Sequence, residues 1–431
     1  MNIFKFILFA TLLSFSVSAL EDNSLSADFY IKKANLYFSE ASKKNSLQDL
    51  KKSYDTLLEA SKKYPDNTVI KMLMYDRGLI YIKLKYNQEI ANNLKKLYPL
   101  ALTLNPLGAA PPSFIDSFKY LKNPKKRAAL LKKGLQENRY FIDGYFYLSE
   151  IYKQQKQYDM AAAILKMALK YEKDNKNKYL IHKTISSIYL EKFFNDPEQC
   201  LSTNKEFLKK IIKELKSRVK LNPKDSDSYK MLSSFYNYLG QNQLAIFNAK
   251  KALELEPLSK DTITGYGYTL IMSQKVDKFF KIAKSQSSDN LTFAYFAIQD
   301  WKNAKKYAKL SLKDNPKYFY SHLKFALSSA MVDGKEALKK YLLNLPKDVE
   351  VNSWEQSLID FFTDKISKDE LLKRAKNKCQ KTEALFYIGF NYLIDGNKEM
   401  AKEYFKKVVD LKVYSFVEYT LSKYYLKLLK N

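Results

Sequence analysis

The chain has 431 residues and a formal charge of +28, from 74 Lys and Arg against 46 Asp and Glu, with 46% hydrophobic and 15% aromatic residues. That is ample material for a packed core and excludes disorder over most of the length. Ten Gly and 11 Pro are too few for a many-turned sandwich, barrel or propeller and leave little for phosphate-cradling loops, while two Cys and two His argue against a structural zinc site or a disulfide framework.

In chain order, the first element is a targeting segment. Lys5 precedes a short apolar run at 6–13, and Val17 and Ala19 stand where small or medium residues precede cleavage, so residues 1–19 read as a signal peptide. An uncleaved N-terminal anchor is the alternative. The run is about half of what a bilayer crossing needs. No Cys lies near the cut to accept a lipid, and no other stretch is apolar enough to span. The expectation is an exported protein, periplasmic or secreted in a bacterium, whose membrane association, if any, is not through a transmembrane helix.

Two helices follow at 29–42 and 47–64, closed by Pro65. Pro99, Pro106, Gly108, Pro111 and Pro112 predict a loop or hinge, so the N-terminal region is placed at 20–112. Ala128 and Leu135 mark a further helix. Residues 195–204 predict a longer turn. Pro223 and Pro257 stand 34 residues apart, each after a similar phrase, Lys220-Leu-Asn-Pro and Glu254-Leu-Glu-Pro. Between them Tyr229, Leu232 and Tyr236 form one stripe of a first helix, Gly240 falls in a turn, and Ala245, Ala249 and Ala252 line a second helix. Tyr145, Leu148, Tyr152, Ala161, Leu165 and Ala168 repeat the pattern, as do Leu385, Ile388, Gly389, Tyr392, Gly396, Ala401, Phe405 and Val408. Weaker copies carry Ile263, Tyr266, Gly267 and Leu270, and Ala304, Ala308 and Pro316 behind a shortened helix near 291–298. A central array at 113–345 and a C-terminal array with a capping helix at 346–431 complete the expected organisation.

This spacing resembles the tetratricopeptide repeat family. The resemblance implies an all-α, right-handed superhelical solenoid of roughly ten antiparallel helix pairs. The series from Trp354 through Cys379 and Gly389 to Phe416 and Tyr419 is similar, over about 80 residues, to the C-terminal repeats of bacterial envelope adaptors of the new lipoprotein I type. That likeness implies peptidoglycan hydrolases or proteases as partners; outer-membrane anchoring does not carry over without a lipidation cysteine.

Enzyme chemistry finds no constellation, so no catalytic residue, cofactor or metal site is expected. His182 and His322 stand alone and read as packed or surface helix residues. Gly265 and Gly267 fall inside a first-helix pattern, and Asp333-Gly334 and Asp395-Gly396 read as turns. Cys200 and Cys379 could pair in an oxidising compartment, but 179 residues apart in different repeats of an elongated array they are expected as unpaired thiols. Arg occurs only five times, and lysines coat nearly every helix, which argues against nucleic acid. Function is expected in the concave groove of a non-catalytic scaffold that binds proteins or peptides, with Asp227, Lys230, Ser234, Asn237 and Tyr238 as the candidate groove residues. A Lys and an Asn presented together could hold a peptide carboxylate, although a solvated helix face competes with that reading. Phe386, Phe390 and Leu393 are expected to pack under a terminal helix at 413–429. The alternative function is a Lys-rich module for anionic envelope polymer or membrane surface.

Overall fold

The computed structural model describes residues 26–195 and 204–429. The signal-peptide expectation and most of the predicted turn at 195–204 lie outside them. Two compact units divide between Ile181 and His182, inside one continuous helix and away from the proline-rich segment at 99–112.

Unit 1 stacks α1 (Ala27–Lys44), α2 (Leu47–Lys63), α3 (Thr68–Leu84), α4 (Gln88–Leu104), the short α5 (Pro112–Ser117), α6 (Pro124–Glu137), α7 (Ile142–Gln154) and α8 (Tyr158–Ala168), each packed on the next. Its core holds the fully buried Tyr54, Tyr75, Phe114 and Phe118. The proline-rich segment is not a hinge. Pro99 lies inside α4, and Pro111 and Pro112 start α5, where a missing N–H costs nothing. The loop between is tied down: Asn138 donates to the carbonyls of Pro106 and Ala109 at 2.8 and 2.9 Å, and Tyr75 donates to that of Ala110 at 2.8 Å.

The division falls within α9 (Asn175–Phe194). Unit 2 continues through α10 (Lys205–Leu221), α11 (Ser226–Tyr238), α12 (Asn242–Leu255), α13 (Lys260–Met272), α14 (Val276–Phe280), α15 (Ser288–Ala297) and α16 (Trp301–Asp314). There follow α17 (Phe319–Asp333), α18 (Lys335–Leu343), α19 (Ser353–Phe362), α20 (Lys368–Arg374), α21 (Lys378–Ile394), α22 (Lys398–Asp410) and α23 (Val417–Leu428). Odd-numbered helices are the first and even-numbered the second of each pair, with α23 unpaired at the end. Among the described residues there is no strand, and one isolated bridge joins Tyr318 to Glu350. The fold is an all-α repeat of helix pairs.

Local chemistry explains the helices. Most begin at a Ser, Asn or Asp whose side chain accepts from the N2 or N3 amide, among them Ser46, Asn67, Asp225 and Asn397. At Asn352, Glu355 returns the bond to complete a capping box. The alanine stripes Ala245, Ala249, Ala252 and Ala304, Ala308 are buried, letting second helices approach the first closely. Six first-to-second turns share one device, a left-handed residue at Lys156, Gly240, Gln274, Gln299, Asp364 or Gly396. In each, the next amide donates to the carbonyl five residues before it, at 2.8 to 3.0 Å, closing the helix end as a Schellman motif does.

Unit 2 curls back on itself, because α23 packs on α13 and α15 as well as on α21 and α22. The Tyr424 hydroxyl donates to the Ile271 carbonyl at 3.3 Å, and Lys427 to Gln274 Oε1 at 2.9 Å. Gly240 takes φ of +69° in the turn between α11 and α12, where a Cβ would lie 3.0 Å from Tyr414. At the centre, the fully buried Tyr425 ring lies 5.2 to 6.3 Å from Phe405, Phe390, Phe386 and Trp301. Phe386, Phe390 and Leu393 are buried as expected. The thiol expectation needs correction: Cys379 is disulfide-bonded, and Cys200 lies outside the described residues. The expectation rested on an elongated array, and unit 2 curls back on itself.

Tyr425→Ala removes the ring on which this cluster closes and should cost about 3–5 kcal/mol, the range for a buried aromatic. Tyr425→Phe removes a hydroxyl that finds no hydrogen-bond partner among the described residues and should leave stability unchanged or raised. Denaturant unfolding of both variants checks this pair of expectations.

Candidate functional site

The anticipated groove residues sit on α11, whose two flanks are both packed. Asp227 and Ser234 are exposed. Lys230 is already neutralised, 2.8 Å from Asp227 and 3.5 Å from Glu256. Tyr238 is half-buried and stacks on Phe193 at 5.9 Å, and burial pushes its phenol up. Asn237 corrects the expectation. It is 4% exposed and faces the next first helix, with Nδ2 3.5 Å from Thr269 Oγ1, while Ser233 meets the same Thr269 at 2.9 Å. Helix α11 packs against α12 and meets α13 through Ser233 and Asn237, so Lys230 and Asn237 are not presented together.

Both histidines are packed polar residues. His182 meets the buried Glu214 at 2.7 Å, beside a second buried pair in which Arg218 meets Asp225 at 3.0 Å. His322 lies between the Tyr341 hydroxyl and the Pro316 carbonyl, at 2.8 and 2.7 Å. Gly265 and Gly267 lie in α13. Among the described residues no group of three His, Cys, Asp or Glu is placed to hold a metal ion, and no helix is long and apolar enough to cross a membrane.

Side chains converge instead on the first helices of unit 2. Glu383 of α21, 8% exposed, accepts from Trp354 Nε1 of α19 at 2.8 Å and from the Tyr320 hydroxyl of α17 at 2.7 Å, both on Oε2. Tyr387, one turn further along α21, donates to Glu418 of α23 at 3.0 Å. Glu355 is buried beside Trp354, and α15 contributes Asp289, paired with Lys324. Tyr268 of α13 feels the charges of Glu418 and Asp289. Glu355 also borders a cleft of about 480 Å³, lined besides by Lys317, Tyr318, Glu350, Val351 and Asn352.

A surplus of buried carboxyl groups sets the electrostatics. Burial first, then the neighbouring Glu418, pushes Glu383 up to about 8, against the two hydrogen bonds that favour its charged form. Burial also raises Glu355 and Glu418. The phenols of Tyr268, Tyr320 and Tyr387 are pushed up by burial and by these carboxylates, and Tyr318 reaches about 12. The Trp354, Tyr320 and Tyr387 donors are spent on Glu383 and Glu418, so what the hollow can take up is positive charge, since an arriving cation would favour ionisation of Glu383. It contrasts with the lysine coat outside. The residues were legible only in part: Trp354, Glu355, Glu418 and Tyr419 fall in the C-terminal series, but no local pattern announces that α13, α17, α19, α21 and α23 point at one another.

With this geometry in place, the comparisons with known proteins can be read. The tetratricopeptide repeat model matches residues 226–257 and 382–412, so the pairs α11–α12 and α21–α22 are tetratricopeptide repeats. No curated protein matches the sequence. Similar solved structures include a tetratricopeptide repeat protein from Parabacteroides merdae, 13% identical with a TM-score of 0.36, covering 78% of this chain and 100% of its own. Another is the C-terminal part of a TPR repeat-containing protein from Cytophaga hutchinsonii, 16% identical with a TM-score of 0.32, covering 69% and 95%. YrrB, described as a TPR protein with an unusual peptide-binding site, is 15% identical with a TM-score of 0.32, covering 44% and 89%.

The sign of the pH dependence follows from Glu383. The folded state keeps its proton where the unfolded chain has released it, so stability falls as pH rises from 4.5 to about 8 and levels off above. Glu355 and Glu418 act in the same direction. Glu383→Gln should flatten the fall, read by denaturant unfolding across that range; an unchanged slope would place the proton elsewhere.

Proposed function

We propose that this chain is a non-catalytic scaffold that holds protein or peptide segments against the Tyr- and Glu-lined hollow of its second unit. The observation that carries the reading is the convergence of α13, α17, α19, α21 and α23 on that hollow, with Glu383 held by Trp354 and Tyr320. We extend the proposal to the setting: an exported protein of the bacterial envelope whose partners include peptidoglycan hydrolases or proteases. The signal-like segment at 1–19, the C-terminal resemblance and the disulfide-bonded Cys379 support this, since disulfides persist in oxidising compartments.

Crosslinked affinity capture from the host envelope fraction, washed at low and high salt and read by mass spectrometry, tests it. The wild-type chain should retain a few hydrolases or proteases at high salt. Tyr318→Ala should lose them, because that ring is 56% exposed at the mouth of the cleft. Release of everything at high salt, with wall polymer or lipid in the low-salt eluate, would favour the lysine coat as the binding surface.

A further inference from the structure

The outer side of α10 presents a feature that the hollow does not use. Lys209, Lys213, Lys216 and Lys220 recur at four, three and four residues, so they form one exposed stripe. The opposite face of α10 is anchored by the buried Phe207, Leu208, Ile211 and Leu215. The stripe therefore cannot turn away from its position. Like charges at these spacings repel and weaken the helix that carries them. Lys209 shares its charge with Glu206 at 2.8 Å; Lys213, Lys216 and Lys220 meet no carboxylate among the described residues.

These lysines rim a cleft of about 470 Å³ whose floor is apolar and aromatic, formed by Ile212, Tyr236 and Leu239. The Lys216 ammonium stands 5.8 Å over the Tyr236 ring. Gln241 closes the cleft at the start of α12. Further along α12, Leu244 and Phe247 are exposed at 45% and 56%. Cationic rim and apolar floor together specify the occupant. A bare polyanion would satisfy the lysines and leave the floor and the α12 strip wet. An amphipathic segment satisfies both.

We propose that the cleft between α10 and the α11–α12 turn is a second docking surface, and that it takes an acidic amphipathic segment of a partner protein, carboxylates on the lysine rim and apolar side chains on the floor. The surface is independent of the hollow in unit 2, and the two can fail separately.

The test uses the full chain and a synthetic fluorescent peptide with Glu and Leu at helical spacing, read by anisotropy at near-physiological salt. Polyglutamate and polyphosphate of matched charge serve as competitors. Wild type should bind the amphipathic peptide at least tenfold more tightly than polyglutamate. Lys213→Ala/Lys216→Ala/Lys220→Ala should lose at least tenfold, while Lys→Arg at the same three positions retains binding and thermal unfolding shows both variants folded. Leu244→Ser/Phe247→Ser should weaken the peptide several-fold and leave polyglutamate unchanged. Equal binding by the triple alanine variant, no peptide binding, or polyphosphate binding as tightly as the peptide would each overturn the proposal, the last in favour of an anionic-polymer surface.

Discussion

The return of α23 onto α13 and α15 is the contact on which the rest of unit 2 depends. A row of helix pairs has two open ends, each leaving an apolar face to water. Here one helix covers the C-terminal end, packing on α21 and α22 as the next first helix would, and also closes against helices far earlier in the chain. Tyr425 supplies the apolar centre of that closure, and Tyr424 and Lys427 fix its register by donating to Ile271 and Gln274. Burial of one such aromatic side chain is worth roughly 1.5–3 kcal/mol, a large share of the margin by which a domain is stable.

Closure also makes the hollow what it is. Glu418 reaches Tyr387 because α23 begins beside α21, and the two carboxyl groups of Glu383 and Glu418 then share one enclosed space. Their charge is poorly solvated there, and protonation of Glu383 at neutral pH is the cheaper solution. Inside and outside thus carry opposite character: a proton-holding, Tyr-rich hollow within and the exposed ammonium groups of Lys213, Lys216 and Lys220 along α10 without. A scaffold with two such surfaces can hold chemically different partners.

Much of the architecture was legible in the sequence, for reasons particular residues make clear. The stripe Tyr229, Leu232, Tyr236 and the alanines at 245, 249 and 252 obey a period that only a closely packed helix pair needs. The turns were legible only where glycine filled them, at Gly240, Gly334 and Gly396. Lys156, Gln274, Gln299 and Asp364 adopt the same left-handed geometry, stabilised by the shared backbone bond and not by residue type, so those turns carried no local mark. Pro99 misled in the other direction, since a proline inside α4 reads as a breaker when neighbours are unknown. Asn237 was misplaced because a single stripe was assigned to packing where two exist. The hollow was hardest to foresee, because its members are set by closure between α23 and α13, about 150 residues apart in the chain.

Hydrogen exchange of α13 and α15, compared between the full chain and a chain ending at Phe416, tests that closure most directly. If α23 covers these helices, their amides lose protection in the shortened chain while α1 to α4 of unit 1 exchange as before. Unchanged protection of α13 and α15 would contradict the account, since it would mean that unit 2 stands without its returning helix.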